Sequence, residues 1–171
     1  MKKNHSNYLE LAFNLAKQNL GKTKSNPSVG CVIVKNNSVI SSGLTQLNGR
    51  PHAESIAINK TKNCKNTDLY VTLEPCTHYG KTPPCTNLII KKGIKRVYYS
   101  FEDVDKRTKN KSKKILSNKK IKVLKIKKKK YKDFYQSYFL IHEDKIPYID
   151  AKIASSKDFF TINKKNRWIT N

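Results

Sequence analysis

Residues 68–93 read DLYVTLEPCTHYGKTPPCTNLIIKKG. Asp68–Glu74 reads as a buried strand, and TNLIIKK as a helix closed by Gly93. A strand leading to a helix is the repeating unit of an α/β layer. Between the two lies a loop with a cysteine at either end, Cys76 and Cys85, and eight residues in between. A histidine, a lysine, a threonine and two prolines fill it.

Outward from this unit the alternation continues. Upstream, Tyr8, Leu11, Ala12, Leu15 and Ala16 recur at helical spacing, with Asn7 and Glu10 as a capping box and Gly21 as the stop. Val29–Lys35 predicts a strand, Asn36-Asn37 a turn, and Ser38–Leu44 the returning strand, since asparagine tolerates the positive φ of tight hairpins. HAESIAINK, from His52, predicts a short helix. Downstream follow a strand at Arg96–Ser100, a polar helix around Lys111–Leu116, a strand at Ile121–Ile126 and an apolar-striped helix at Phe134–Ile141. This order predicts an α/β fold with a mostly parallel sheet behind an antiparallel first hairpin. After Pro147 the texture changes. YIDAKIAS is strand-like and the rest is polar, which is too little for a second core.

Composition narrows the class. The 171 residues suit one domain, and 37% apolar content can fill one core. No apolar run approaches the ~20 residues of a membrane span, and no apolar stretch follows the basic start as in a secretory signal. The expectation is a cytoplasmic protein without membrane partners, whose four cysteines are ligands or core residues rather than disulfides. The net charge of +24 invites a nucleic-acid reading. Yet 32 of the 36 basic residues are lysine, and the arginines are only Arg50, Arg96, Arg107 and Arg167. Readers of phosphates and base edges favour the arginine fork, so nucleic acid is disfavoured as a partner. The densest run, Lys125–Lys132, is expected to be a solvated turn.

Chemistry gathers around HAE, His52 to Glu54, and around Pro75-Cys76, which follows a predicted strand and is expected to lead into a helix. Taken singly, His52 reads as an ordinary histidine, and Cys76 and Cys85 as buried thiols. Together they offer one imidazole and two thiolates, three protein ligands with a fourth position open, the arrangement of a catalytic Zn2+. Helix N-termini favour thiolate over thiol. Zinc lowers the pKa of a bound water toward ~7, and Glu54 is placed to take that proton and pass it on. Nucleobase deaminases carry H-x-E and then P-C-x-x-C. The first half fits here, whereas the second departs in its long spacing. Cys31 is expected in the core and Cys64 as an incidental loop residue.

NPSVGCVIVKNN, RPHAES, YVTLEPCTHYGKTPPC and KKGIKRVYYSFED resemble the deaminase domain of the bacterial bifunctional riboflavin-biosynthesis protein, from Tyr8 to about Pro147. In that family a diaminohydroxyphosphoribosylaminopyrimidine deaminase is fused to a 5-amino-6-(5-phosphoribosylamino)uracil reductase. The long inter-cysteine loop is the most specific element, because transfer-RNA adenosine deaminases and cytidine or deoxycytidylate deaminases place the second cysteine close after the first. The resemblance implies a cytidine-deaminase-like three-layer α/β/α fold with a mixed five-stranded sheet. It also implies zinc-dependent hydrolysis of 2,5-diamino-6-(5-phosphoribosylamino)pyrimidin-4(3H)-one to 5-amino-6-(5-phosphoribosylamino)uracil and ammonia. Carried over by position, His52, Cys76 and Cys85 hold zinc and Glu54 moves protons. Asn26 and His78 contact the base, Lys81 and Thr82 meet the phosphate, and Asp103 opens a segment that holds the ribose phosphate.

Two departures qualify the match. The family reads Asp-Pro-Asn-Pro and then a glycine-rich stretch where this chain has EDVDKRTKNKSKK. Asp105 is unfavourable near a phosphate unless it faces away or pairs with Lys106 or Arg107. The second departure is KIASSKDFFTINKKNRWITN, which resembles the opening of the reductase, with Ala154 and Trp168 at positions that touch NADP in the family. The expectation is therefore a deaminase domain at residues 1–146, a reductase remnant at 147–171, and no reductase activity. Expected partners are the small pyrimidine ribotide, further copies in a dimer or tetramer, and a separate reductase chain. Two other readings stand beside this one: a transfer-RNA-type deaminase favoured by the charge, and a weakened remnant acting as an assembly module.

Overall fold

The computed structural model describes residues 4–155, together with 157 and 159. Its elements are α1 His5–Lys17, β1 Gly30–Lys35, β2 Ser38–Leu44, α2 Ala53–Asn59, β3 Asp68–Leu73, α3 Cys85–Lys91, β4 Arg96–Phe101, α4 Ser112–Ser117, β5 Lys122–Lys125 and α5 Gln136–Phe139. The strands form one sheet in the order β2-β1-β3-β4-β5. β1 is antiparallel to both β2 and β3, and the pairs β3–β4 and β4–β5 are parallel. The sheet is thus mixed, as the resemblance implies. It is less parallel than the strand–helix alternation predicts, because the link from β1 to β3 runs through the hairpin and α2 rather than through one crossover.

Side chains alternate across this sheet, as the two-residue period of a strand requires. Val32, Val34, Tyr70 and Tyr98 face one way and bury Leu9 and Ala12 of α1. Cys31, Ile33, Leu69, Val71 and Val97 face the other way, toward Ala57 and Ile58 of α2, Ile89 of α3 and Leu116 of α4. Three layers result. Both helix contacts are close because the strands carry glycine there. A Cβ on Gly30 would lie 1.8 Å from Ala12 O, and one on Gly43 2.4 Å from Ala53 O. Gly43 therefore sets how near the first turn of α2 comes to the sheet. The hairpin turns at Asn36 and Asn37 with φ of 49° and 63°, as expected of asparagine.

Four local readings change. The N-cap of α1 is Asn4, whose Oδ1 accepts from Asn7 N at 3.4 Å. Glu10 is therefore free of the cap and instead accepts from Lys130 Nζ at 2.6 Å and Tyr131 Oη at 2.7 Å, with Lys128 Nζ at 3.1 Å. The lysine run is accordingly not a merely solvated turn, because two of its members clamp α1. The helix expected at Phe134–Ile141 is shorter, a turn of α5 followed by a π-helical turn at Leu140–Asp144, while Tyr135 is buried and hydrogen-bonded to Thr72 Oγ1 at 2.6 Å. YIDAKIAS forms no strand. No neighbouring strand pairs with it among the described residues, so Ile149 and Ile153 stay 80% and 77% exposed. Ala154 lies in this irregular, exposed segment, and Trp168 lies outside the described residues. No described helix is long and apolar enough to cross a membrane.

Candidate active site

Three chain segments converge at one end of the sheet. His52 is the N-cap of α2, with an extended backbone (φ −69°, ψ 156°), and Glu54 sits in the helix's first turn, 4% exposed. Cys76 follows β3 by three residues, and Cys85 opens α3 after Pro84. Pro75-Cys76 is expected to lead into a helix, but the residues between Cys76 and Pro84 form none, and the next helix begins only at Cys85. Instead Cys76 Sγ accepts the backbone N–H of Cys85 at 3.2 Å, so its sulfur caps α3.

His52 Nδ1 lies 3.4 Å from Cys85 Sγ and 3.7 Å from Cys76 Sγ, and the three ligand atoms all fall within 4.8 Å of one another. Bond lengths of ~2.3 Å to sulfur and ~2.0 Å to nitrogen put tetrahedral ligand atoms roughly 3.5–3.8 Å apart, so the donors and spacing fit zinc. The two thiols differ. Cys76 is held well below the usual thiol range, chiefly by the hydrogen bond from the Cys85 thiol, and Cys85 is correspondingly raised. His52 is raised, chiefly by its hydrogen bond with Cys76 and against burial. Glu54 is pushed up to about 7, first by burial and then by the Cys76 charge. Cys31 is buried in the core as expected. Cys64 is buried too, its Sγ 3.7 Å from Ile58 O at the end of α2, so it is a packing residue rather than an incidental one.

A cavity of about 290 Å³ opens beside this group, near the lower end of the range for small-molecule sites. Asn26, His78, Lys81 and Asp103 line it together with His52, Glu54 and Cys76. Asn26 is held by its Nδ2 donating to Gly49 O at 3.2 Å, and His78 by Thr108 Oγ1 at 3.2 Å. Lys81 is exposed. Thr82 lies outside this cavity. It lines a neighbouring one of about 440 Å³ with Pro83, Pro84 and Cys85, and its hydroxyl accepts from Arg50.

The altered segment after β4 is ordered by means the sequence reading missed. Glu74, 3% exposed, accepts from the N–H groups of Asp103 (3.3 Å), Asn110 (3.1 Å) and Ser112 (3.1 Å) and from Ser112 Oγ (2.8 Å). Asp103 Oδ1 accepts from Tyr138 Oη at 2.9 Å and Asp105 N at 3.0 Å. Burial raises the Asp103 carboxyl. Asp105 is bound by Arg107, which holds its carboxyl at about 2. Its negative charge is thus countered within the cleft wall, in the way expected if it pairs with Arg107. Thr108 and Tyr138 lie in no motif, Arg50 and Glu74 only border HAE and PC, and the partners of all four lie far along the chain.

A family model, that of the cytidine and deoxycytidylate deaminase zinc-binding region, matches residues 2–101. The chain belongs to the cytidine and deoxycytidylate deaminase family. The matched region of this family binds zinc, and the His52, Cys76 and Cys85 group lies within it. The riboflavin biosynthesis protein RibD of Aquifex aeolicus is 38% identical over 168 residues, covering 96% of this chain and 47% of that protein. RibD of Acinetobacter baumannii superposes with a TM-score of 0.87 at 35% identity, over 98% of this chain and 48% of the other. A Thermotoga maritima diaminohydroxyphosphoribosylaminopyrimidine deaminase/5-amino-6-(5-phosphoribosylamino)uracil reductase gives 0.79 at 32%, over 98% and 50%. The chain spans about half the length of the curated relatives it matches. It is a deaminase domain of the hydrolytic kind, with the mixed five-stranded fold expected of this family.

Proposed function

We propose that this chain deaminates 2,5-diamino-6-(5-phosphoribosylamino)pyrimidin-4(3H)-one to 5-amino-6-(5-phosphoribosylamino)uracil, with release of ammonia. One observation carries the reading: His52, Cys76 and buried Glu54 share a single cavity with His78 and Lys81 of the long inter-cysteine loop. In this reading His52, Cys76 and Cys85 hold the zinc. When bound, zinc supplies a Lewis acid that makes water a nucleophile near neutral pH. Glu54 Oε would take one proton from that water and pass it to the ring nitrogen, then take the second from the hydroxyl now on the ring carbon and pass it to the amine, which leaves as ammonia as the C–N bond breaks. Burial raises the Glu54 carboxyl, which favours its holding a proton between the two transfers. Asn26 and His78 orient the base, Asp103 borders the ribose phosphate, and Lys81 meets the phosphate as a point charge.

The charge that would favour a polynucleotide substrate is partly engaged within the protein. Lys125 pairs with Glu102, and Lys128 and Lys130 with Glu10. Ammonia release from the ribotide and from adenosine-containing RNA, measured side by side with zinc-loaded protein, tests the proposal. Turnover of the ribotide alone is expected, and turnover of RNA alone would replace the proposal with the nucleic-acid reading.

A further inference from the structure

We propose that Arg50 selects the phosphorylated substrate, its guanidinium taking the phosphomonoester of the ribotide beside Lys81. The proposal deepens the function proposed above and rests on it for the identity of the substrate. Arg50 stands two residues before His52 and is half-buried in the wall of the same cavity. Its Nη1 donates to Thr82 Oγ1 on the inter-cysteine loop. A Cβ built on Gly80 would come 3.1 Å from Arg50 Nη2, so the other arm of the fork lies against that loop as well.

The charge balance of the cavity points the same way. Three arginines fall among the described residues. Arg96 is held by Asp68 and Arg107 by Asp105, whereas no carboxylate pairs with Arg50 among the described residues. A half-buried guanidinium with no counter-charge favours an anion. Thr82 occupies one of its five N–H donors, which leaves a fork able to bind two phosphate oxygens at once. Lys81, being exposed and flexible, offers only a hydrated point charge. Four carboxyls line the cavity and none is paired with Arg50: Asp105 is paired with Arg107, Asp103 accepts from Tyr138, Glu74 accepts from the N–H groups of Asp103, Asn110 and Ser112, and Glu54 stands with His52 and Cys76. The loop opposite Arg50 thus gains its selectivity from a residue outside it.

Kinetics of zinc-loaded Arg50→Gln and Arg50→Lys on the ribotide and on its dephosphorylated riboside test this, together with titration of each protein with ribose 5-phosphate. Arg50→Gln should raise KM for the ribotide by about tenfold or more and weaken ribose 5-phosphate to a similar degree. The effect on the riboside should be at least about fivefold smaller, zinc content should hold, and Arg50→Lys should recover only part of the loss. Equal losses on both substrates would mean that Arg50 merely braces the loop, and no loss on either would mean that it does nothing there; each result overturns the proposal. Should wild-type protein fail to turn over the ribotide, the functional reading falls and the ribose 5-phosphate titration alone decides. Weaker binding by Arg50→Gln then sustains the anion site, while equal binding, or none by wild type, ends it.

Discussion

Glu54 is 4% exposed, and its carboxyl is pushed up to about 7 by burial and by the Cys76 charge. Glu54→Gln keeps the shape but cannot accept a proton. A fall in kcat of ~10²–10⁴ is expected, with zinc content unchanged on metal analysis. Wild-type turnover by that variant would remove Glu54 from the proton path. Cys76→Ser takes away both a zinc donor and the acceptor that caps α3, so purified variant should hold far less than one zinc per chain. Near-full zinc occupancy would exclude Cys76 as a ligand. These residues were readable in advance because HAE and PC are local patterns, each placed by one helix start or one strand end. Arg50, Tyr138 and Glu74 were not. Their bonds reach 29 to 38 residues along the chain, and nothing beside them in sequence marks those partners.

The segment 103–112 shows how an element can be kept while its usual turn residues are lost. Val104 and Asp105 stand where the family has proline and asparagine, and the glycines are gone, yet the turn is tied by the buried carboxylates of Glu74 and Asp103. Glu74→Ala would leave the N–H groups of Asp103, Asn110 and Ser112 without that acceptor. Each unsatisfied buried donor costs about 1–3 kcal/mol, so urea unfolding should show a loss of at least about 2 kcal/mol. A loss below about 0.5 kcal/mol would mean that the segment is held by other means. The junction of α1 with the lysine run has a pH signature. Glu10 is held at about 2, chiefly by Lys130, then Tyr131, then Lys128. A depressed carboxylate stabilises the fold above its unfolded value near 4.5, and this is lost as pH falls through about 2. Glu10→Gln should therefore flatten the fall in stability between about pH 4.5 and 2, as followed by thermal unfolding. An unchanged acid limb would show that the clamp adds nothing. This junction was hidden from sequence, since Glu10 looks like a capping residue until Asn4 is seen to fill that role. The failed strand at YIDAKIAS has the converse cause. Its pattern is strand-like, but a strand exists only through a neighbour that no local pattern supplies.

At the scale of the molecule, three layers bring His52, Cys76 and Cys85 together from the start of α2, the end of β3 and the start of α3. Strand–helix alternation predicted the layers, and the family resemblance predicted the mixed sheet. Alternation alone overestimated the parallel pairing, because local periodicity does not state which way a strand runs beside its neighbour. Net charge, the largest single number in the composition, carried little of the answer, since part of it is paired internally at Glu10 and Glu102. The proposed reaction is hydrolysis of the C–N bond of the diaminopyrimidinone ribotide by zinc-loaded protein. Turnover in heavy-oxygen water, with the product read by mass spectrometry, decides it. One labelled oxygen is expected in each uracil ribotide, formed in step with ammonia, abolished by a chelator and restored by zinc. A zinc-loaded protein that leaves the ribotide unchanged, or a product without label, would contradict it.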